Sequence, residues 1–375
     1  MSLAGLDLRL NPNTRRILTA LRAEGPLARA DLARLLAIEP STITRLAAPL
    51  VAEGLLSEEP DPGREGRKGY PAKLLAIRPE GLFTAGVYID PDRILTCLCD
   101  LTGQPLATEE VPVDNRAFDT LMTAAGASER RLLAATGVNP ARVAGCGVSY
   151  PGHYSATPRQ VLRIRQFQGW PEVNVERDLS PYFGMPVHHM NDAKAACLAE
   201  MYYGSARHFG SFCHIWLSYG IGGAAVVDRR LHLGQGGVAA EWGGLFPKSL
   251  PRPSGQDLLG VLAEDGIHLA HLSDLDAGHL ARPSVVDWAQ RAAQQLRWLC
   301  LVIARTFAPE AIVIGGTMPP ALIAGFIDRI NSADMLGEDF FVQPPRILRA
   351  EQDRHPELGA AVLPVHDLFT PPDPA

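Results

Sequence analysis

A chain of 375 residues, 46% hydrophobic and 20% charged, is longer than one ordinary core takes up, so two or three soluble globular domains are expected and a disordered or fibrous chain is excluded. The net charge of −6 speaks against nucleic acid as a partner for the whole length, but residues 1–80 hold 12 Lys+Arg against 10 Asp+Glu, leaving 23 against 31 in residues 81–375, so a head of +2 precedes a body of −8. The sequence shows no signal peptide, the most nearly continuous apolar run (215–227) is broken by Gly220, Gly222 and Gly223, and the six cysteines form no disulfide framework; a reduced, cytoplasmic setting without a membrane partner is expected.

The first elements are helical. Ile17, Leu18 and Leu21 recur at helical spacing over 13–24, with Asn13 or Thr14 available as cap, and Gly25-Pro26 stops the pattern. A second short helix covers 30–38 through Leu32, Leu35 and Leu36. Pro40 marks the turn, and Ser41 is positioned to cap a third helix over 41–53 whose buried side is Ile43, Leu46, Leu50 and Val51. Its exposed early positions are Ser41, Thr42, Thr44 and Arg45. A basic, glycine-rich ribbon follows, with Arg64, Arg67 and Lys68 set among Gly63, Gly66 and Gly69, and then a strand-like run at 74–77. Helix, helix, turn, helix and basic ribbon make a winged helix-turn-helix over residues 1–80. The start of the third helix would meet base edges, and the ribbon cations the phosphate backbone, of a double-stranded operator. A plain helical bundle explains the helices alone; the ribbon favours DNA.

From residue 82 the texture changes to strands, glycine turns and helices. Strands are expected at 82–89, 93–100 and 143–150, the last running into the Pro151-Gly152 turn. A strand at 186–190 leads into Asn191-Asp192, which opens a helix over 193–203. A hairpin is expected over 214–230 and a strand at 311–316 ending in Gly315-Gly316. Cys97 and Cys99 share a strand face as inert core residues, whereas His188 and His189 point to opposite faces and are poorly placed to hold one metal.

In chain order the body carries Gly147-Val148-Ser149-Tyr150-Pro151-Gly152, Gly169-Trp170, Asn191-Asp192-Ala193-Lys194-Ala195-Ala196, Gly220-Ile221-Gly222-Gly223, Ala240-Glu241-Trp242-Gly243, Ile314-Gly315-Gly316 and Glu357-Leu358-Gly359-Ala360-Ala361. Each is weak alone. The ordered set resembles the ROK family (repressors, open reading frames, kinases), specifically its transcriptional-repressor branch with a winged-helix head, over nearly the whole chain. The resemblance implies an α/β chain: an N-terminal winged helix-turn-helix, then a two-lobed actin-like ATPase/sugar-kinase fold. One lobe would span 81–190, completed by 355–375, and the other 191–354. A sugar cleft would lie between them, lined by Gly152, His153, Asn191, Asp192 and Glu241, with Asp192 at the position of the kinase general base. The bland reading of Asn191 and Asp192 is helix capping, and the two roles are compatible.

The chain departs from the kinase pattern where phosphate would sit. A phosphate hairpin needs glycine for backbone approach and a threonine donor. Here it reads Tyr88-Ile89-Asp90-Pro91-Asp92-Arg93, with Tyr88 in place of the family's acidic residue, a proline lacking the N–H, and two added carboxylates. The second loop, Ser218-Tyr219-Gly220-Ile221-Gly222-Gly223, has Tyr219 in place of threonine. Gly244 replaces the family's zinc-ligating histidine, and 247–257 holds no cysteine, so neither a metal nor a cofactor is expected. His153, Arg163 and Arg165 raise an anionic sugar as a lesser reading, against the plainer one of solvated arginines on an exposed strand. The leading expectation is a sugar-responsive DNA-binding repressor, a homodimer or homotetramer, that binds its sugar without phosphorylating it. The alternatives are a hexose kinase with a regulatory head and a constitutive DNA-binding protein with a vestigial cleft.

Overall fold

Asn11, not Asn13 or Thr14, caps the first helix: its side chain accepts the Thr14 N–H at 2.9 Å, and α1 runs Pro12–Glu24. The protein is described here by a computed structural model covering residues 11–61, 73–154, 160–162, 170–171, 173–332, 343–352 and 355–370, with a short antiparallel pairing of Ser2–Leu3 and Leu6–Asp7 ahead of them; side chains are not described for 2–3, 6–7, 153–154, 160–162, 175–176 and 367. After β1 (Leu27–Ala28), α2 (Arg29–Leu36) and α3 (Pro40–Ala52) meet at 115°, with Ala37 in the left-handed region at φ 51° between them. Ser41 is not the cap of α3. Pro40 has no N–H to satisfy and takes the first helical position, which moves the start one residue earlier and leaves Glu39 as N-cap without a side-chain bond. β2 (Leu56–Pro60) and β3 (Lys73–Ile77) are the antiparallel stems of the wing, in the order β1-β3-β2. Ile17, Leu18, Leu21, Leu32, Ile43, Leu50 and Leu75 close the core beneath them, each worth about 1.5–3 kcal/mol when fully buried.

The next strands are β4 (Phe83–Ile89), β5 (Arg93–Asp100) and β6 (Pro105–Pro112), followed by α4 (Phe118–Thr136) and β7 (Val143–Tyr150). A small sheet of β8 (His153–Tyr154), β9 (Gln160–Leu162) and β10 (Val173–Asn174) stands at the end of β7, and α5 (Ser180–Phe183) leads to β11 (Val187–Asn191). The first large sheet has the order β11-β7-β4-β5-β6. Every residue of β4 and β7 is buried, as parallel neighbours covered on both faces require. α6 (Asp192–Tyr202) follows β11 directly.

The second large sheet contains β12 (Phe212–Leu217), β13 (Ile221–Val227), β14 (Arg230–Leu231), β15 (Ala311–Gly316) and β16 (Arg346–Arg349), ordered β14-β13-β12-β15-β16. α7 (Gly255–Glu264), α8 (Ala277–Leu280), α9 (Pro283–Phe307) and α10 (Pro320–Asn331) belong with it, and Trp288, Leu296, Ile303 and Phe326 fill its core.

The segment 356–369 forms two helices rather than one. Pro364 interrupts it, giving α11 (Pro356–Val362), a tight turn and α12 (His366–Phe369). α11 is wedged between the first sheet and α6 at glycines. A Cβ on Gly86 would lie 2.2 Å from the Glu357 carbonyl oxygen, one on Gly147 1.8 Å from that of Ala360, and one on Gly359 2.0 Å from that of Ala195. α12 then reaches the head, where the Thr19 hydroxyl donates to the Phe369 carbonyl at 2.7 Å.

Candidate ligand cleft and DNA-facing head

β7 and β11 run parallel, so their carboxyl ends present the 151–152 turn and Asn191 side by side. Asn191 links them: its amide donates to the Gly152 carbonyl at 2.6 Å, and its oxygen accepts the N–H groups of Ala193 and Lys194 at 3.0 and 3.4 Å. It therefore caps α6 while fixing the turn. Asp192, the first residue of α6, is 6% exposed. Glu241 arrives from the second-sheet side, after Ala240 in the left-handed region at φ 59°. It meets the same helix through Lys194, whose ammonium donates to Glu241 Oε1 at 2.8 Å. Lys194 is 1% exposed, and an amine that buried needs this partner. Asn191, Asp192, Glu241 and Gly152 thus converge on the start of α6. His153 is placed as a strand residue of β8; its side chain, like Arg163 and Arg165, lies outside the described residues. Beneath the turn, Tyr150 packs edge-on against Trp170 and 4.3 Å from the His189 ring, and burial holds His189 down to about 3. Gly244 has nothing within 4 Å of a built Cβ.

The two phosphate-loop positions are filled by protein. In the β4–β5 hairpin, Asp90 Oδ1 accepts the N–H of Asp92 at 2.7 Å and of Arg93 at 2.9 Å, while Asp90 N–H donates to the Arg93 carbonyl. Pro91 has no N–H, so the donors at which a phosphate would be cradled are consumed. Burial, opposed by these bonds, pushes Asp90 up to about 6. Asp92 reaches across to the other lobe. It accepts the Tyr219 hydroxyl at 2.7 and 2.9 Å and lies 2.6 Å from His271 Nδ1, and the Leu272 N–H donates back to the Tyr219 oxygen at 3.1 Å. Burial and the Asp92 contact together push the Tyr219 phenol up. Tyr88 is fully enclosed behind the hairpin, and burial followed by Asp90 drives its phenol well up. The sequence marks Asp92 and Tyr219 as departures from a phosphate site; it gives no sign that they bond to each other or that His271 joins them.

In the head, Ser41, Thr44 and Arg45 are exposed along one side of α3 and Thr42 is half-buried. The Thr44 hydroxyl is turned back onto the Pro40 carbonyl at 3.1 Å. Arg45 has no ion-pair partner among the described residues. The wing stems are described, with Glu58 bonded to Lys73 at 2.8 Å and to Arg29, but the wing residues Arg64, Arg67 and Lys68 lie outside the described residues.

A winged helix-turn-helix DNA-binding head on a two-lobed, kinase-like body with a polar cleft is the class of protein that the fold and the site define. Comparison with known proteins agrees. The winged helix-turn-helix DNA-binding family matches residues 10–57 and the ROK family residues 84–256. The chain is 33% identical to an uncharacterized protein, y4fQ, of Sinorhizobium fredii, over 88% of this chain and 84% of that one. It is 33% identical to the bifunctional enzyme NanE/NanK of Brucella melitensis over 53% of this chain and 38% of that one, and 20% identical to the xylose repressor of Bacillus spizizenii over 80% and 81%. The crystal structure of a ROK family transcriptional regulator, a homologue of the E. coli MLC protein, superimposes with a TM-score of 0.74 at 19% identity and 96% coverage of both chains. The chain belongs to the ROK family.

Proposed function

We propose that this protein is a transcriptional repressor that senses a sugar or sugar derivative in its kinase-like cleft without phosphorylating it. The observation that carries the proposal is the protein-filled phosphate site. Asp90 has taken the hairpin N–H groups, and the Asp92–Tyr219–His271 contact bridges the lobes where a transferred phosphoryl group needs positioned donors and a metal. In this reading Gly152, His153, Asn191, Asp192 and Glu241 bind the sugar hydroxyls, Asp192 acting as acceptor rather than base. Ser41, Thr42, Thr44 and Arg45 read the operator, while Arg64, Arg67 and Lys68 hold its backbone. The protein would act in the cytoplasm as a homodimer or homotetramer, so that two heads meet two half-sites.

α6 offers the route from ligand to DNA. It begins at the cleft with Asp192 and ends about 16 Å away at Tyr202, where Arg22 of α1 stacks on the rings of Tyr202, Tyr203 and Phe369 at 4.7, 4.9 and 4.3 Å. A sugar that draws Glu241 and Asp192 together displaces one end of a helix whose other end holds the head. Retention of Asp192 and similarity to NanE/NanK favour the second reading, a sugar kinase with a regulatory head. The deciding experiment measures thermal stabilisation by a panel of neutral, amino, acidic and phosphorylated sugars beside a coupled assay for sugar-dependent ATP consumption. Stabilisation by a sugar without turnover supports the sensor; turnover that disappears in Asp192→Asn refutes it in favour of the kinase.

A further inference from the structure

Where α1 of the head meets the body there is a small cavity of about 20 Å³, lined by Thr19, Arg22, Tyr202, Arg207 and Arg229 among others. Three arginines around so small a space, two of them half-buried and Arg207 exposed, is an unusual arrangement, because like charges repel. Their bonds go to neutral partners. Arg22 donates to the carbonyls of Leu101 and Thr102 and to the Tyr203 hydroxyl, Arg229 to the carbonyls of Arg207 and Phe209, and Arg207 to a ring nitrogen of His208. Among the described residues no carboxylate lies within ion-pair distance of any of the three; Glu24 reaches Arg229 only through its field. The Arg22 Nε–H is buried without an acceptor. Burial holds the Arg229 guanidinium below the ordinary arginine range. Arg229 also stands in a strained turn: Asp228 and Arg229 both have positive φ, 50° and 59°, which side chains other than glycine adopt at a penalty.

We propose that this joint is a binding site for a compact oxyanion, a phosphate group held between head and body. The charge and donor geometry fit: guanidinium forks pair with phosphate oxygens, and the anion supplies the counter-charge the cluster lacks. The free volume is that of about one water molecule, so only an oxygen edge of the anion enters, and the rest of a free phosphate, or of a larger molecule carrying one, projects outward past the exposed Arg207. The occupant touches α1 on one side and the end of α6 and the β13–β14 turn on the other, so it fastens the head. This site lies apart from the cleft and does not depend on the cleft's being functional.

The test titrates the full-length protein with inorganic phosphate by calorimetry and thermal shift, at ionic strength held constant with chloride. Saturable stabilisation is expected, weakened at least several-fold in Arg207→Gln and absent in Arg207→Gln/Arg229→Gln. The Arg207 side chain is exposed and bonds only to His208 among the described residues, so that variant is expected to fold even if the double variant does not. Non-saturating behaviour, or equal binding by Arg207→Gln, overturns the proposal. So does loss of phosphate binding in Asp192→Asn, which would move the anion to the cleft. A parallel titration with glycerol 3-phosphate separates the sources: tighter binding than phosphate identifies an organic phosphate, and weaker binding identifies the free ion.

Discussion

Removing the Tyr219 hydroxyl tests whether the lobe-to-lobe contact holds the body together. In Tyr219→Phe, Asp92 loses the donor at 2.7 and 2.9 Å and the Leu272 N–H loses its acceptor. One hydrogen bond to a charged group contributes about 1.5–3 kcal/mol, so the variant should fall in stability by that amount. The Asp92→Ala change alone is harder to read, since it also relieves Asp90 of a neighbouring charge that helps raise it. A double-mutant cycle removes this difficulty, because the effect on Asp90 is present in both arms. Urea unfolding followed by tryptophan fluorescence reports both lobes, through Trp216, Trp242 and Trp288 in the second and Trp170 in the first, all buried. The expected coupling between Asp92→Ala and Tyr219→Phe is about 1–3 kcal/mol. A value below about 0.5 kcal/mol would mean that the contact is incidental and that something else closes the phosphate site.

Three further outcomes are expected. Gly147→Ala should destabilise the chain by about 3 kcal/mol or more, since its Cβ would sit 1.8 Å from the Ala360 carbonyl oxygen, whereas Gly244→Ala, with open space around it, should change thermal stability by no more than about 0.5 kcal/mol; equal effects would contradict the packing of α11. Glu129 is buried with neither carboxylate oxygen bonded, and burial pushes it up to about 7. Its folded value exceeds the unfolded one, so its contribution is fully present below the unfolded value and is lost as pH rises through 7, by about 3 kcal/mol in all. Glu129→Gln should therefore gain on the wild type by that amount between pH 4.5 and 8 in urea midpoints, and parallel pH profiles would exclude the assignment. Arg22→Lys keeps the charge but gives up the planar stack on three rings, worth about 0.5–2 kcal/mol per good cation–π contact. In a gel-shift assay it should bind operator as the wild type does while the sugar effect on binding shrinks, and an unchanged sugar effect would sever α6 from the signalling route.

The parts legible in the sequence were those with a period or a fixed local order. Helical spacing of Ile17, Leu18 and Leu21, the apolar runs of β4 and β7, and the Asn191-Asp192 helix start all carry their structure within a dozen residues. Lys194 stood inside a recognised motif without a role, because a lysine on a helix is ordinarily exposed; its burial depends on Glu241, 47 residues on. The meeting of Asp92, Tyr219 and His271 spans 127 and 179 positions and leaves no periodic trace. Nothing in the local sequence around Arg22 marks its role, because the three aromatic rings around it come together only in the folded chain.

The seating of α11 at Gly86, Gly147 and Gly359 also bears on the order in which the chain assembles. Ribosomal synthesis delivers the winged head before both sheets and α11 and α12 after them, yet α12 is what α1 rests on and α11 is what covers β4 and β7. During translation the first sheet must wait, with one apolar face open, for a helix encoded some 200 residues after β7. Until it arrives the head has no complete seat. A chain interrupted before α11 would carry the winged head without the helices that seat it on the body.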